Sequence, residues 1–155
     1  MGRSRGGFGT KIHIVCDGNG VPLTHVLSPG QAHDNRFVEE ALQRVCIPSS
    51  RRGRPRSRPK ILMADRAYSA RNTRSYLHKR GIRGNIPRKQ NNQDGRSTFD
   101  KITYKDRNIV ERSIGWLKER RRVGTRYEKL ATCFSAMVTL AFILRCSRVY
   151  LSDRA

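Results

Sequence analysis

Residues 104–118 read YKDRNIVERSIGWLK, and four of them, Tyr104, Arg107, Glu111 and Lys118, carry the strongest pattern in the chain. On an α-helix, which turns by about 100° per residue, these side chains project at roughly 0°, 300°, 340° and 320°, within one stripe about 60° wide. A carboxylate flanked by two cations and a phenol suits a divalent metal beside a phosphate backbone. The same spacing is compatible with a solvated helix face whose charges pair four residues apart.

The composition favours a nucleic-acid partner. The 155 residues include 33 Lys and Arg against 12 Asp and Glu, which gives a net charge of +21. A charge this large calls for a polyanionic partner, either nucleic acid or an anionic membrane surface. The longest uncharged apolar stretch, residues 131–144, is shorter than the roughly 20 residues of a spanning helix, and the first residues lack the apolar core of a signal peptide. We therefore expect a cytoplasmic protein that binds nucleic acid and no membrane.

The cysteines predict a reduced protein. Cys16, Cys46, Cys133 and Cys146 are widely spaced, lie in or beside apolar runs and form no Cys-x-x-Cys pair. This pattern is typical of buried thiols in a cytosolic protein, rather than of a zinc site. A chain of this length permits one domain with its own core.

The first third of the chain predicts a hairpin followed by a helix. Runs rich in β-formers at residues 10–16 and 21–27 are joined by Asp-Gly-Asn-Gly at 17–20, a strong turn signal. Asp34 is then expected to be the N-cap of a helix through about Val45. Further on, we expect a short strand at 84–87 and a long apolar helix at about 130–150 that packs against the sheet.

Residues 49–60, SSRRGRPRSRPK, are too polar and proline-rich for a helix or a strand. We interpret them as a flexible basic loop that binds phosphates without sequence preference, with a merely solvated connector as the alternative. The arginines expected to bind phosphate are Arg51, Arg52, Arg54, Arg56 and Arg58.

Asp65 follows the short apolar run 61–64, which predicts a central strand buried on both faces. Ligand sites in open α/β sheets lie beyond the carboxyl ends of such strands, so Asp65 occupies the position of a catalytic carboxylate. The alternative is a structural role as the N-cap of a following helix at 69–79.

These residues resemble a known family. Residues 65–68, Asp-Arg-Ala-Tyr, are similar to the Asp-x-Gly/Ala-Tyr/Phe motif of bacterial insertion-sequence DDE transposases of the IS-four and IS-five groups. Tyr104, Arg107, Glu111 and Lys118 match the Tyr-x2-Arg-x3-Glu-x6-Lys signature of that family with every spacing kept. Residues 9–13, 29–34 and 125–130 also resemble segments of its catalytic domain.

The resemblance implies an α/β fold, an RNase H-like mixed sheet of five strands flanked by helices, in a single catalytic domain over residues 1–155. It implies cutting and joining of double-stranded DNA at transposon ends and target, by a homodimer on DNA with two Mg²⁺ (or Mn²⁺) ions. Two such ions lie about 3.5–4 Å apart and activate the nucleophile and the leaving oxygen. Asp65 and Glu111 would be the second and third metal-binding carboxylates, and Tyr104, Arg107 and Lys118 would position the DNA backbone.

One departure from the family concerns its first aspartate, which lies on an opening strand. No acidic residue precedes Asp17, and Asp17 lies in the predicted turn, so the opening strand is expected to be missing and the domain partial. His33 and Asp34 are a further candidate pair at or next to the metal ions, although a helix cap explains Asp34 equally well. The expected protein is therefore a downstream reading-frame product or a truncated copy. The rival interpretations are a non-catalytic basic DNA- or RNA-binding protein and an inactive transposase remnant.

Overall fold

The computed structural model describes residues 2–4, 7–49, 52–88 and 99–152. The chain forms two compact units, and each has its own hydrophobic cluster. We call residues 1–31 with 108–155 the terminal unit, and residues 32–107 the central unit. The architecture is mixed α/β, as expected, with small sheets and several helices. The single-domain assignment over residues 1–155 stays a prediction.

The terminal unit contains an antiparallel sheet in the order β1-β2-β3, formed by Gly2–Ser4, Gly7–Cys16 and Pro22–Pro29. The predicted hairpin is confirmed. The Asp17 carboxylate accepts hydrogen bonds from the Asn19 and Val21 amides at 2.9 and 2.8 Å, and Gly20 adopts a left-handed backbone with φ of 79°. An aspartate that caps its own turn and a glycine that accepts positive φ are the reasons this sequence turns here.

The described residues of the terminal unit also form the helices α4 (Asn108–Lys118), α5 (Arg121–Gly124) and α6 (Ala131–Ser152). The long apolar helix was therefore predicted correctly. Phe134, Val138 and Phe142 bury one face of α6 together with Leu117, and α6 packs against β3. Among the described residues, α6 is the one helix whose length and composition would suffice to cross a membrane. Besides its buried face, α6 carries the exposed apolar side chains of Leu140, Ile143 and Leu144.

The central unit contains a two-stranded parallel sheet, β4 (Ile61–Met63) with β5 (Arg83–Asn85). Helices α1 (Val38–Gln43) and α2 (Arg71–Lys79) pack with it around Leu42, Leu77 and Ile86. The expectation that β4 is buried on both faces is wrong, because Ile61 is 40 % exposed. Burial of both faces requires layers on each side of a wider parallel sheet, and β4 pairs here with β5 alone among the described strands.

Two other local expectations are corrected. Asp34 is not a helix cap: it is the first residue of a 3₁₀ turn, Asp34–Phe37, and the N-cap position belongs to His33, which makes no side-chain capping bond. The helix after that turn ends at Gln43 rather than Val45. Cys46 and Cys133 are exposed rather than buried, because an apolar neighbour in sequence does not fix which face of an element turns inward.

Candidate active site

Asp65 lies two residues beyond the end of β4, and its carboxylate has a defined local role. It is the N-cap of a 3₁₀ turn, Arg66–Tyr68, and its Oδ1 accepts a hydrogen bond from the Ala67 amide at 2.8 Å. The capping role is thus real, although on this turn rather than on α2, whose N-cap is Ala70 without a side-chain bond. A carboxylate has about four lone-pair sites, so this hydrogen bond does not use all of its capacity to bind other partners.

Tyr68 connects Asp65 electrostatically with Asp34. The pKa of Tyr68 is raised to about 12, mainly by burial and in addition by the nearby negative charges of Asp34 and Asp65. The two carboxylates therefore act on the same phenol. Packing between the 3₁₀ turns Asp34–Phe37 and Arg66–Tyr68 produces this arrangement. His33, beside Asp34, is exposed.

The signature stretch is not one continuous helix. It consists of α3 (Lys101–Tyr104), a 3₁₀ turn (Lys105–Arg107) and α4. A 3₁₀ turn advances by about 120° per residue, so the 100° projection that gave one stripe of four residues holds only within α4. There, Glu111 and Lys118 are seven residues apart, lie on the same side of the helix and are exposed.

Tyr104 and Arg107 form a pair of their own in the central unit. The Arg107 guanidinium lies 5.6 Å from the centre of the Tyr104 ring, in cation–π geometry. The Phe99 ring also contacts the Tyr104 ring, in an edge-on arrangement with the ring centroids 4.9 Å apart. Both side chains are half-buried, so the phenol and the guanidinium are held together at the surface rather than dispersed in solvent.

The position of α4 is fixed by close contacts within the terminal unit. Ser113 is buried, and its hydroxyl can donate to the Gly20 carbonyl oxygen, at 3.0 Å, and to the Ile109 carbonyl oxygen, at 3.1 Å. At the last residue of α4, Gly124 approaches Lys118 so closely that an added Cβ would overlap the Lys118 carbonyl oxygen. The backbone that carries Glu111 and Lys118 is therefore held at the middle and at the carboxyl end of α4.

Trp116 packs against the core of the terminal unit. It is half-buried against the terminal-unit cluster, and the Arg120 and Arg145 guanidinium groups lie 4.8 and 5.5 Å from its ring centre. These two cations occupy the approaches to the ring that a stacked base would use.

The basic loop is exposed but partly anchored. Arg52, Arg54, Arg56 and Arg58 are exposed, whereas Arg51 lies outside the described residues. The Arg56 backbone exchanges two hydrogen bonds with Ile47, at 2.8 and 2.9 Å, and the Arg58 side chain donates to the Arg80 carbonyl at 3.1 Å. The loop therefore presents a row of cations from a backbone that is tied at two points.

The signature stretch has a support that sequence reasoning missed. Asn85, the last residue of β5, is almost completely buried and bonds to Asp100, which begins α3. A polar residue at the end of a short strand was the available signal. Nothing in a single sequence reveals its partner fifteen positions away.

Metal ligation is incomplete among these residues. In the part of the chain that the structure describes, no three His, Cys, Asp or Glu side chains gather closely enough to hold a metal ion. Asp65 belongs to the central unit and Glu111 to the terminal unit, so their shared role as metal ligands stays a prediction.

Comparison with known proteins identifies the family. The chain is 35 % identical over 141 residues to a Burkholderia cepacia protein described as a transposase for insertion sequence element IS402, covering 89 % of this chain and 63 % of that protein. It is 29 % identical over 143 residues to a Brucella ovis protein described in the same way for IS6501, covering 92 % and 98 %. The chain thus spans less than two thirds of the IS402 protein. No solved structure matches it. Residues 2–146 match the Transposase DDE domain family, and the chain belongs to that family.

Proposed function

We propose that this chain is the catalytic part of a DNA transposase that cuts and joins double-stranded DNA at insertion-sequence ends and at a target. The supporting observation is that the family match over residues 2–146 encloses both Asp65 and an intact Tyr-x2-Arg-x3-Glu-x6-Lys signature at 104–118. The net charge of +21 provides the attraction that a polyanionic substrate requires.

Asp65 and Glu111 are the proposed ligands of two Mg²⁺ or Mn²⁺ ions. Both are oxygen donors, the type that these ions prefer, and the Asp65 carboxylate is oriented by the Ala67 amide. When bound, the metals activate the attacking hydroxyl and stabilise the leaving oxygen of the phosphodiester. Asp34 and its neighbour His33 are the proposed supports of these ligands, since Asp34 and Asp65 both act on Tyr68.

Tyr104, Arg107 and Lys118 are the proposed contacts to the DNA backbone. The Tyr104–Arg107 pair offers a hydroxyl and a planar guanidinium, both of which bond to phosphate oxygens. Lys118, exposed on α4, adds a point charge. The arginines of the basic loop, Arg51, Arg52, Arg54, Arg56 and Arg58, would attract the duplex without reading its sequence.

The fold that we propose is RNase H-like, a mixed sheet flanked by helices. The parallel pair of β4 and β5, packed with α1 and α2, supports this proposal. We further propose that the protein acts as a homodimer on DNA in the bacterial cytoplasm, at the nucleoid.

The second candidate function is DNA or RNA binding without catalysis, as in an inactive remnant. It is favoured by the exposed arginines of the basic loop, Arg52, Arg54, Arg56 and Arg58. Binding of this kind requires neither Asp65 nor Glu111, which is where the two functions differ.

Mn²⁺ binding separates the two candidates. Titration calorimetry of the full chain bound to duplex DNA should give weaker Mn²⁺ binding for Asp65→Asn and for Glu111→Gln, because each amide keeps its shape but loses the charge that the metal needs. Glu119→Gln, an exposed acid just past α4, is the matched control. If all three variants bind Mn²⁺ as the unmodified chain does, the metal assignment is wrong and binding without catalysis is the better account.

A further inference from the structure

The side chain of Asn85 clamps the backbone of one residue. Asn85 is 2 % exposed; its amide nitrogen donates to the Asp100 carbonyl at 2.9 Å, and its amide oxygen accepts from the Asp100 N–H at 3.0 Å. These two hydrogen bonds match the pair that facing residues of two antiparallel strands exchange, but a side chain takes the place of the second strand. It fixes Asp100 at the carboxyl end of β5.

Asp100 in turn begins α3. Its Oδ1 accepts from the Ile102 and Thr103 amides at 2.9 and 3.2 Å, and its Oδ2 accepts from the Thr103 hydroxyl at 2.5 Å. These bonds hold the pKa of Asp100 below its usual range, with the Thr103 hydroxyl as the largest cause. The Asp100 carbonyl accepts the Tyr104 N–H at 3.1 Å. Asp100 therefore connects β5 to the helical turn that carries Tyr104.

A second tie leads from the same strand end toward Asp65. Arg74 donates to the Ile86 carbonyl at 2.8 Å and to the Ser69 hydroxyl at 3.0 Å through one nitrogen. Ser69 directly follows the 3₁₀ turn that Asp65 caps. Within the central unit, residues 85 and 86 thus hold both the Asp65 turn and the start of the signature stretch.

We propose that Asn85, acting through Asp100, is a positioning residue that sets Tyr104 and Arg107 for contact with a DNA phosphate. Helix α3 continues directly into the 3₁₀ turn Lys105–Arg107, and its first N–H groups have no partner within the helix, so its start depends on the Asp100 cap. Arg107 stacks on Tyr104 and therefore follows its placement. The proposal rests on the proposed function, because it presupposes that this pair contacts DNA.

The first test measures backbone order without DNA. In Asn85→Ala, amide hydrogen exchange should accelerate at Ile102, Thr103 and Tyr104, whereas residues 71–79 of α2 keep their protection. Asn72→Ala, an exposed asparagine on α2, is the matched control and should leave the α3 amides unchanged. Unchanged α3 exchange in Asn85→Ala would overturn the clamp.

The second test is a double-mutant cycle on affinity for a duplex oligonucleotide at fixed salt. In the unmodified chain, Arg107→Ala should weaken binding about tenfold, the usual size of one charged hydrogen bond. In the Asn85→Ala background, the same change should cost less than about twofold, because the guanidinium is no longer held in place. A full tenfold loss there would overturn the positioning role. If Arg107→Ala has no effect in the unmodified chain, the DNA contact in the proposed function fails and the positioning role fails with it.

A second pair of variants covers the case in which Asn85→Ala also unfolds α2. Asp100→Ala removes the helix cap but leaves the backbone groups that Asn85 binds, and Asp100→Ser restores a capping oxygen. The Arg107→Ala effect on affinity should be small in Asp100→Ala and return to about tenfold in Asp100→Ser. Equal effects in the two backgrounds would overturn the proposal.

Discussion

Replacement of Gly20 by alanine should destabilise the terminal unit, because Gly20 lies in the β2–β3 turn with a positive φ. Gly20 closes the β2–β3 turn with φ of 79°, a conformation that L-residues adopt at a cost of about 1–2 kcal/mol. An added Cβ would also lie 3.1 Å from Ile109 Cγ2 and 3.3 Å from Ser113 Oγ, both on α4. The mutation therefore strains both the turn and the packing of the turn against α4.

The expected loss follows from these two terms. If the turn shifts to relieve the crowding, the hydrogen bond between Ser113 and the Gly20 carbonyl lengthens, and such a bond contributes about 1 kcal/mol. Added to the backbone cost, the free energy of unfolding should fall by about 2–3 kcal/mol. With a urea m-value of about 2 kcal/mol/M, the midpoint of the transition should fall by about 1 M.

Urea unfolding followed by tryptophan fluorescence measures this loss directly. Trp116 is the only tryptophan in the chain and packs against the terminal-unit core, so its emission reports on this unit. Gly18→Ala is the matched control in the same turn: its Cβ would meet nothing within 4 Å, and the change should stay within about 0.5 kcal/mol. Equal midpoints for Gly20→Ala and Gly18→Ala would refute the argument from φ and from packing on α4.

Three further predictions concern charge and chemistry. Alanine at Arg52, Arg54, Arg56 and Arg58 should flatten the salt dependence of duplex binding by about 0.9 in slope per lost phosphate contact, and Arg44→Ala, whose guanidinium pairs with Glu40, should not. The folded state should lose stability as the pH rises from about 10 to about 12, because the folded chain holds the Tyr68 proton more tightly than the unfolded one; stability curves of Tyr68→Phe should lack this decline. Residues 1–155 alone should not nick transposon-end DNA in Mg²⁺ or Mn²⁺. A fusion that adds a strand bearing an aspartate at the N-terminus should nick this DNA, and Glu111→Gln in the fusion should abolish nicking while duplex affinity is kept.

The elements that the sequence predicted correctly are those whose signals are local. Asp17 and Gly20 determine the hairpin through a side-chain bond and a positive φ within four residues. The apolar spacing of α6 is similarly self-contained, and the helix runs from Ala131 to Ser152, close to the expected bounds. The strand before Asp65 was found in the same way, since a short apolar run ended by an acid needs no distant information.

The features that could not be predicted depend on distant partners. The break of the signature stretch at Lys105–Arg107 changes which residues share a helix face, and no residue in that turn is a helix breaker. Asp34 lies inside a 3₁₀ turn rather than at a cap because the turn packs against Arg66–Tyr68, more than thirty positions away. The Asn85–Asp100 clamp is of the same kind: both residues look like ordinary turn formers until the fold places them together.

The two interpretations of Asp65, helix cap and metal ligand, are compatible, because they depend on different properties of its side chain. A cap needs one oxygen acceptor, which Asp65 supplies through Oδ1 to the Ala67 amide. Asparagine supplies the same acceptor and caps about as well, so capping does not explain a negative charge at this position. Asp65→Asn should therefore leave the free energy of unfolding, measured with urea, within about 0.5 kcal/mol of that of the unmodified chain, while Mn²⁺ affinity falls. A large loss of stability without loss of Mn²⁺ binding would show that the carboxylate serves the fold alone.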